Sequence, residues 1–286
     1  ELLLDQRAEI NQARQDGGPP LMSACMNRHR ALVELFLDRG ANINQTKNDG
    51  VTPLFIACQF GHRDVAELLL DSGALVNQVH SCGLTPLFTA CQFGHSDVAE
   101  LCLDKGAQIN QSCNGGVTSL LIACNEGYRD VVGLLLARGA LVNQAMDDGT
   151  TPLYIACNNG HMNVTELLLD RGADINQARH NGETPLYIAC ENGHRDVAKL
   201  LIDRGADVNQ AKNDWATPLY IACHKGHREV AVLLLASGAD VNQSNNDGYT
   251  PLYIACNNGH INVAELLLDK RADINHADSY GASALY

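Results

Sequence analysis

An all-α repeat solenoid, a stack of antiparallel helix pairs, is the fold class this sequence predicts, and three observations predict it. Cys25, Cys58, Cys91, Cys124, Cys157, Cys190, Cys223 and Cys256 each follow the last by 33 residues. Thr52, Thr85, Thr118, Thr151, Thr184, Thr217 and Thr250 keep the same interval, most of them followed by Pro-Leu. No insertion or deletion breaks the spacing. A fixed period of this length marks a stack in which each unit meets only its neighbours and no closed pocket has to form. The functional expectation moves from catalysis toward binding along an extended surface.

One unit shows how each element arises. Thr52 precedes Pro53, so its hydroxyl caps a helix whose first turn holds a proline that needs no donor. The short segment Pro53–Phe60 reads as that helix, ended by Gly61. A second helix is expected from about His62 to Asp71, with Val65, Leu68 and Leu69 on one face. Gly73 stands where a left-handed residue closes it. Ala74–Asn77 and turns of the Asp49-Gly50 type read as a β-hairpin finger leading into the next unit. One helix pair cannot bury its apolar face alone, whereas a stack of them can.

The recurring phrases Gly-x-Thr-Pro-Leu, Ala-x-x-x-Gly-His, Leu-Leu and Gly-Ala-Asp-Val-Asn resemble the ankyrin repeat, and the resemblance spans the whole chain. It implies one domain over 1–286: a partial repeat at 1–16, full repeats at about 17–49, 50–82, 83–115, 116–148, 149–181, 182–214, 215–247 and 248–280, and a partial repeat at 281–286. Two departures stand out. Where the family carries His after Thr-Pro-Leu, this chain has Phe55, Phe88, Leu121, Tyr154, Tyr187, Tyr220 and Tyr253, so ring packing is expected in place of a Thr-to-His hydrogen bond. The fourth repeat has Ser119 for Pro, Tyr128 for His and Gly133 inside its second helix, which predicts a soft joint around 116–148. At Arg271 the capping glycine is missing, and the C-terminal end is expected to fray.

Composition and charge narrow the function. Apolar residues make up 45% of the chain, ample for a continuous core. With 20 basic against 33 acidic residues the net charge is −13, the wrong sign for binding phosphate backbones, so nucleic acid is not expected as a partner. No stretch reaches the roughly 18 apolar residues of a membrane span. No signal peptide is visible, but the sequence starts mid-helix at Glu1 without Met, which leaves an upstream targeting segment open.

Equivalent cysteines on stacked repeats lie about 8–10 Å apart, beyond the ~7 Å a disulfide spans between Cα atoms. The ladder therefore reads as small buried apolar residues, with Cys82, Cys102 and Cys113 off it and more exposed. Cysteines without a disulfide framework fit a reducing compartment, the cytoplasm or also the nucleus. Cys-x-x-x-His recurs at Cys58/His62, Cys91/His95, Cys157/His161, Cys190/His194, Cys223/His227 and Cys256/His260. Zinc needs four converging ligands, whereas the intervening Gly puts Cys at the end of one helix and His at the start of the next. Packing is the favoured reading, and no metal or cofactor is expected. A nucleophile, its base and the orienting group must also converge. Periodic residues form rows instead, and no Gly-rich phosphate loop is present. The expectation is a non-enzymatic protein. The sequons at Asn44, Asn110, Asn163 and Asn242 carry no weight in a cytosolic chain.

The resemblance implies that partners dock on a concave face lined by finger tips and by outward residues of the first helix of each pair. Toward the N-terminus this face offers Met26, Val51, Phe60, Leu84 and Phe93. Phe60 and Phe93 take the slot held elsewhere by Asn27, Glu126, Asn159, Asn192, Lys225 and Asn258. Two readings stay open: an apolar recognition patch, or rings folded back on their neighbours. Farther on, Glu126, Asp147, Asp148, Glu183, Glu191, Asp214 and Asp247 make the face acidic, relieved mainly by Lys225. A partner with an apolar anchor and basic residues complements that gradient; solvation alone also explains it. Trp215, the only tryptophan, holds the finger-tip slot of Gly50, Gly83, Gly149, Gly182 and Gly248, with Tyr249 as a companion. It is either an interface anchor or an incidental substitution. The family's Asn row matches Asn44, Asn77, Asn110, Asn143, Asn176, Asn209 and Asn242; in such repeats this Asn stabilises the finger turn and can be hydroxylated. The reading is a monomeric protein-binding scaffold. The alternative is a spacer segment of a longer array whose activity lies in other domains.

Overall fold

The computed structural model describes residues 9–276. The expected partial repeat at 1–16 lies partly outside that range, and the one at 281–286 lies wholly outside it. Among the described residues sixteen α-helices form eight pairs. They are α1 (Pro20–Met26) with α2 (Arg30–Asp38), α3 (Pro53–Gln59) with α4 (Arg63–Asp71), α5 (Pro86–Gln92) with α6 (Ser96–Asp104), and α7 (Ser119–Glu126) with α8 (Arg129–Ala137). Then follow α9 (Pro152–Asn158) with α10 (Met162–Asp170), α11 (Pro185–Glu191) with α12 (Arg195–Asp203), α13 (Pro218–Lys225) with α14 (Arg228–Ala236), and α15 (Pro251–Asn257) with α16 (Ile261–Asp269). The chain divides into two compact units between Leu141 and Val142. Within each unit the first helices pack side by side in one layer and the second helices in another.

Local chemistry explains the regularity. Each conserved-slot threonine from Thr52 to Thr250 accepts a hydrogen bond at its Oγ1 from the backbone N–H three residues on, at 3.0–3.2 Å. That bond satisfies one of the donors a helix N-terminus leaves orphaned. Leu54, Leu87 and Leu120 in the first unit, and Leu153, Leu186, Leu219 and Leu252 in the second, are buried from the first helices; Leu69, Leu135, Leu168, Leu201, Leu234 and Leu267 meet them from the second. The inter-helix histidine reaches back to the preceding repeat. His62, His95, His194, His227 and His260 place Nε2 3.0–3.1 Å from the carbonyls of Met26, Gln59, Asn158, Glu191 and His224. Gly61 leaves room for this ring: a Cβ there would sit 2.6 Å from His95 Nδ1.

Several expectations need correcting. Cys102 is fully buried, because the period puts it in the core slot of Leu69 and Leu135. Cys82 is exposed and Cys113 half-buried, as expected. Cys256 departs from its ladder by being exposed, in a pair after which no further helix is described. The fingers contain no strand among the described residues, only one antiparallel bridge between Ser112 and Thr118. Each hairpin closes on a single turn, as in Lys47 N–H to Val51 O at 2.9 Å and Gly50 N–H to Lys47 O at 3.0 Å, too short for a ladder. At the C-terminal end Arg271 adopts the left-handed conformation (φ 64°). Arg271 N–H and Ala272 N–H still reach Leu268 O and Leu267 O at 3.0 Å, so the helix end closes without glycine.

In the fourth repeat Thr118 still caps its helix, and α8 runs unbroken through Gly133. A mid-helix glycine costs about 1 kcal/mol relative to alanine. We expect amides across 116–148 to exchange faster than those of the other repeats, and Gly133→Ala to slow them. Equal protection across all repeats in hydrogen-exchange mass spectrometry would end the idea of a soft joint.

Candidate functional site

In the first unit, Phe60 and Phe93 occupy the residue just past α3 and α5 and remain 46% and 45% exposed. Each ring stacks on the histidine of its own repeat, Phe60 on His62 at 5.9 Å and Phe93 on His95 at 6.5 Å. The fold-back is therefore partial: one part of each ring is anchored and the rest faces solvent. Met26, at the end of α1, is also exposed, as is Glu126 at the end of α7. Val51 is not on this surface, at 8% exposure. Its N–H bonds to Asp49 Oδ1 at 3.1 Å and its carbonyl accepts Lys47 N–H, and its slot also holds the buried Thr150 and Ala216. Leu84 is half-buried in the same slot.

In three repeats the residue after Thr-Pro-Leu packs on the next finger, at a position 25 residues on. Phe55 stacks on His80 at 5.6 Å. In the second unit the Arg179 guanidinium lies 5.2 Å above the Tyr154 ring, and Lys212 Nζ lies 5.7 Å from that of Tyr187. Rings thus replace the family's histidine bond by stacking and cation–π contact. The partners His80, Arg179 and Lys212 were not singled out from sequence, although they share one slot of the period.

The acidic stretch of the second unit is more neutralised than its composition implied. Arg179 pairs with Asp148 and, at 3.3 Å, with Glu183. Glu183 also accepts the Tyr154 hydroxyl at 2.8 Å. Lys212 lies 3.1 Å from Asp214, and Lys225 3.3 Å from Glu191. Lys225 therefore shares the relief of these acids with Arg179 and Lys212, which the fingers supply. For Asp148, partial burial alone would raise the carboxyl pKa; hydrogen bonds from Thr150 and the Arg179 guanidinium outweigh it and hold it at about 2. A folded value below the ordinary 3.8 means that this group stabilises the fold fully above about 3.8, and that the contribution is lost as pH falls through about 2. Thermal melts through that window should show a weaker acid dependence in Asp148→Asn. An unchanged acid profile would count against the pairing.

Trp215 is 61% exposed and left-handed (φ 68°), in a slot otherwise filled by glycine. Tyr249 is half-buried and stacks on Tyr253 with centroids 4.5 Å apart, so its ring is already committed within its own repeat. The Asn row does more than shape a turn. Asn44, Asn77 and Asn110 accept at Oδ1 from the backbone N–H of Leu75, Gln108 and Leu141, each 31 residues on, at 2.9–3.0 Å. Asn143, Asn176, Asn209 and Asn242 do the same toward Asp174, Asp207, Asp240 and Asp273, at 2.8–3.0 Å. Each amide ties one repeat to the next.

The ladder cysteines from Cys25 to Cys223 face the core; burial pushes the Cys25 and Cys157 thiols up to about 12, far from a reactive thiolate. Among the described residues no three His, Cys, Asp or Glu side chains converge to hold a metal. No described helix is long and apolar enough to cross a membrane.

A family model for ankyrin repeats, three copies per match, fits residues 1–80, 75–146, 139–212 and 209–278. The chain belongs to the ankyrin repeat family. A search of curated proteins gave no match. Ankyrin repeats generally serve as protein–protein interaction modules.

Proposed function

We propose that this ankyrin chain is a non-enzymatic binding scaffold and that a protein or peptide inserts an apolar anchor against Met26, Phe60 and Phe93, on the face of finger tips and first-helix ends that the family uses for docking. The observation that carries the reading is the pair of half-exposed phenylalanines in the same slot of consecutive repeats. Large apolar groups repeated at solvent are uncommon on monomers and mark interaction sites. Glu126 holds that slot one repeat later, so a basic residue beyond the anchor completes the match. In the second unit Trp215 offers a separate anchor, rimmed by Asp214. The chain works as a monomer in the cytoplasm or nucleus. Hydroxylation of the Asn row is an additional proposal, tested by intact mass of protein from its native host; absence of any species with one added oxygen overturns it.

Affinity capture from a host lysate should compare the native chain with Phe60→Ser/Phe93→Ser, after circular dichroism shows both folded. Truncating interface anchors costs about 2 kcal/mol or more, roughly 30-fold in affinity. Partners held by the native chain and lost from the variant support the reading. Identical captures move the site to Trp215, and no specific capture by either protein favours the spacer.

A further inference from the structure

The third repeat departs from its neighbours in the core as well as on the surface. Cys102, on α6, stands where every other described repeat after the first carries leucine: Leu69, Leu135, Leu168, Leu201, Leu234 and Leu267. The substitution brings its sulfur to 3.7 Å from that of Cys58, on α3 of the preceding repeat. Both side chains are fully buried. In the other described repeats Phe36 or leucine fills the slot of Cys102, and a thiol pair at this spot requires cysteine in both slots.

We propose that Cys58 and Cys102 form a latent disulfide site, which a two-electron oxidant of the peroxide class closes into a covalent staple between the second and third repeats. A disulfide sulfur pair lies about 2.05 Å apart, so the two sulfurs must approach by roughly 1.7 Å from their present 3.7 Å. The chemistry balances. One sulfur, as thiolate, attacks a peroxide oxygen; the S–O bond forms, the O–O bond breaks, and the departing hydroxide takes up a proton as water. The second sulfur attacks the resulting sulfenic acid; the S–S bond forms, the S–O bond breaks, and a second water leaves. Two thiols are oxidised and one peroxide is reduced to two waters.

The burial that holds the pair together also controls its rate. Peroxide reaches these sulfurs only when α3 and α6 separate locally. The hydrogen bond with Cys102, and then burial, hold the Cys58 thiol well above its ordinary range, so the thiolate is scarce until that opening occurs. Closure is therefore slow and, once made, long-lived, because the same burial shields the bond from reductants. The staple closes a loop between residues 44 apart in the chain. It restricts the unfolded chain and fixes the two repeats that carry Phe60 and Phe93. The proposal does not depend on those rings binding a partner.

The test treats the whole chain with hydrogen peroxide, quenches it, alkylates the remaining thiols in denaturant and maps peptides by mass spectrometry. The expected result is a cross-linked peptide joining Cys58 to Cys102, two hydrogens lighter than the reduced pair, with a raised urea midpoint that dithiothreitol reverses. Cys102→Leu restores the residue found in the other repeats; it should stay folded, lose the cross-link and show no dithiothreitol-reversible rise. Full alkylation of Cys58 and Cys102 while exposed Cys82 is oxidised overturns the proposal. So does a cross-link that lowers the midpoint, or a reversible rise that persists in Cys102→Leu.

Discussion

Leu201→Ala is expected to lower the unfolding free energy by about 3 kcal/mol, within the roughly 2–5 kcal/mol seen when a buried leucine is cut to alanine. Leu201 lies on α12 and is wholly inaccessible, on the face shared with Val197 and Ala198. Removing its branched end takes away transfer energy and leaves a void, because helices already packed against neighbours on both sides cannot close in. The adjacent Lys199 is the internal control: its side chain is exposed and its ion pair with Asp203 lies at the surface, so Lys199→Ala should change stability by no more than about 0.5 kcal/mol. Urea unfolding followed by circular dichroism reads both. A loss below about 1 kcal/mol for Leu201→Ala would mean that the stack collapses around voids and that its core is not close-packed. Because a repeat stack is stabilised by nearest-neighbour terms, hydrogen exchange should place the loss mainly in α11, α12 and the repeats beside them.

Opposite effects are expected at one slot of two consecutive fingers. Gly182 is left-handed (φ 88°), and a Cβ there would fall 2.6 Å from Asn213 Oδ1 and 2.7 Å from the Asn213 backbone nitrogen. Gly182→Ala combines a left-handed penalty of about 1–2 kcal/mol with a clash that only backbone movement relieves. It should cost at least about 2 kcal/mol and loosen the bond from Asn213 N–H to Asn181 O, now 3.0 Å. Trp215 already carries the conformational penalty, with φ 68°. Trp215→Gly should therefore stabilise the protein by about 1 kcal/mol, since the ring it removes is mostly in water. Strain at an exposed aromatic is consistent with the proposal that Trp215 anchors a partner. If Trp215→Gly destabilises the fold, the ring packs usefully on its finger and the strain argument fails.

The period alone determined the family, the helix pairs, the threonine caps and the glycine closures, because each depends on chemistry within a few residues of chain. Thr52 capping Pro53 and Gly73 ending a helix are local events, repeated wherever the same phrase recurs. The period also contained Cys102 in a leucine slot and Arg179 in the slot of His80, but slot membership became informative only once it was known which slots face the core or a neighbouring ring. Tertiary structure decided what crosses from one repeat to the next. It tied each Asn to a backbone N–H 31 residues away, buried Val51, placed Arg179 between Asp148 and Glu183, and brought two sulfurs together across 44 residues. Whether a side chain in a given slot points to water, core or partner depends on the stacking of one repeat on the next, and a sequence read one repeat at a time does not contain that geometry.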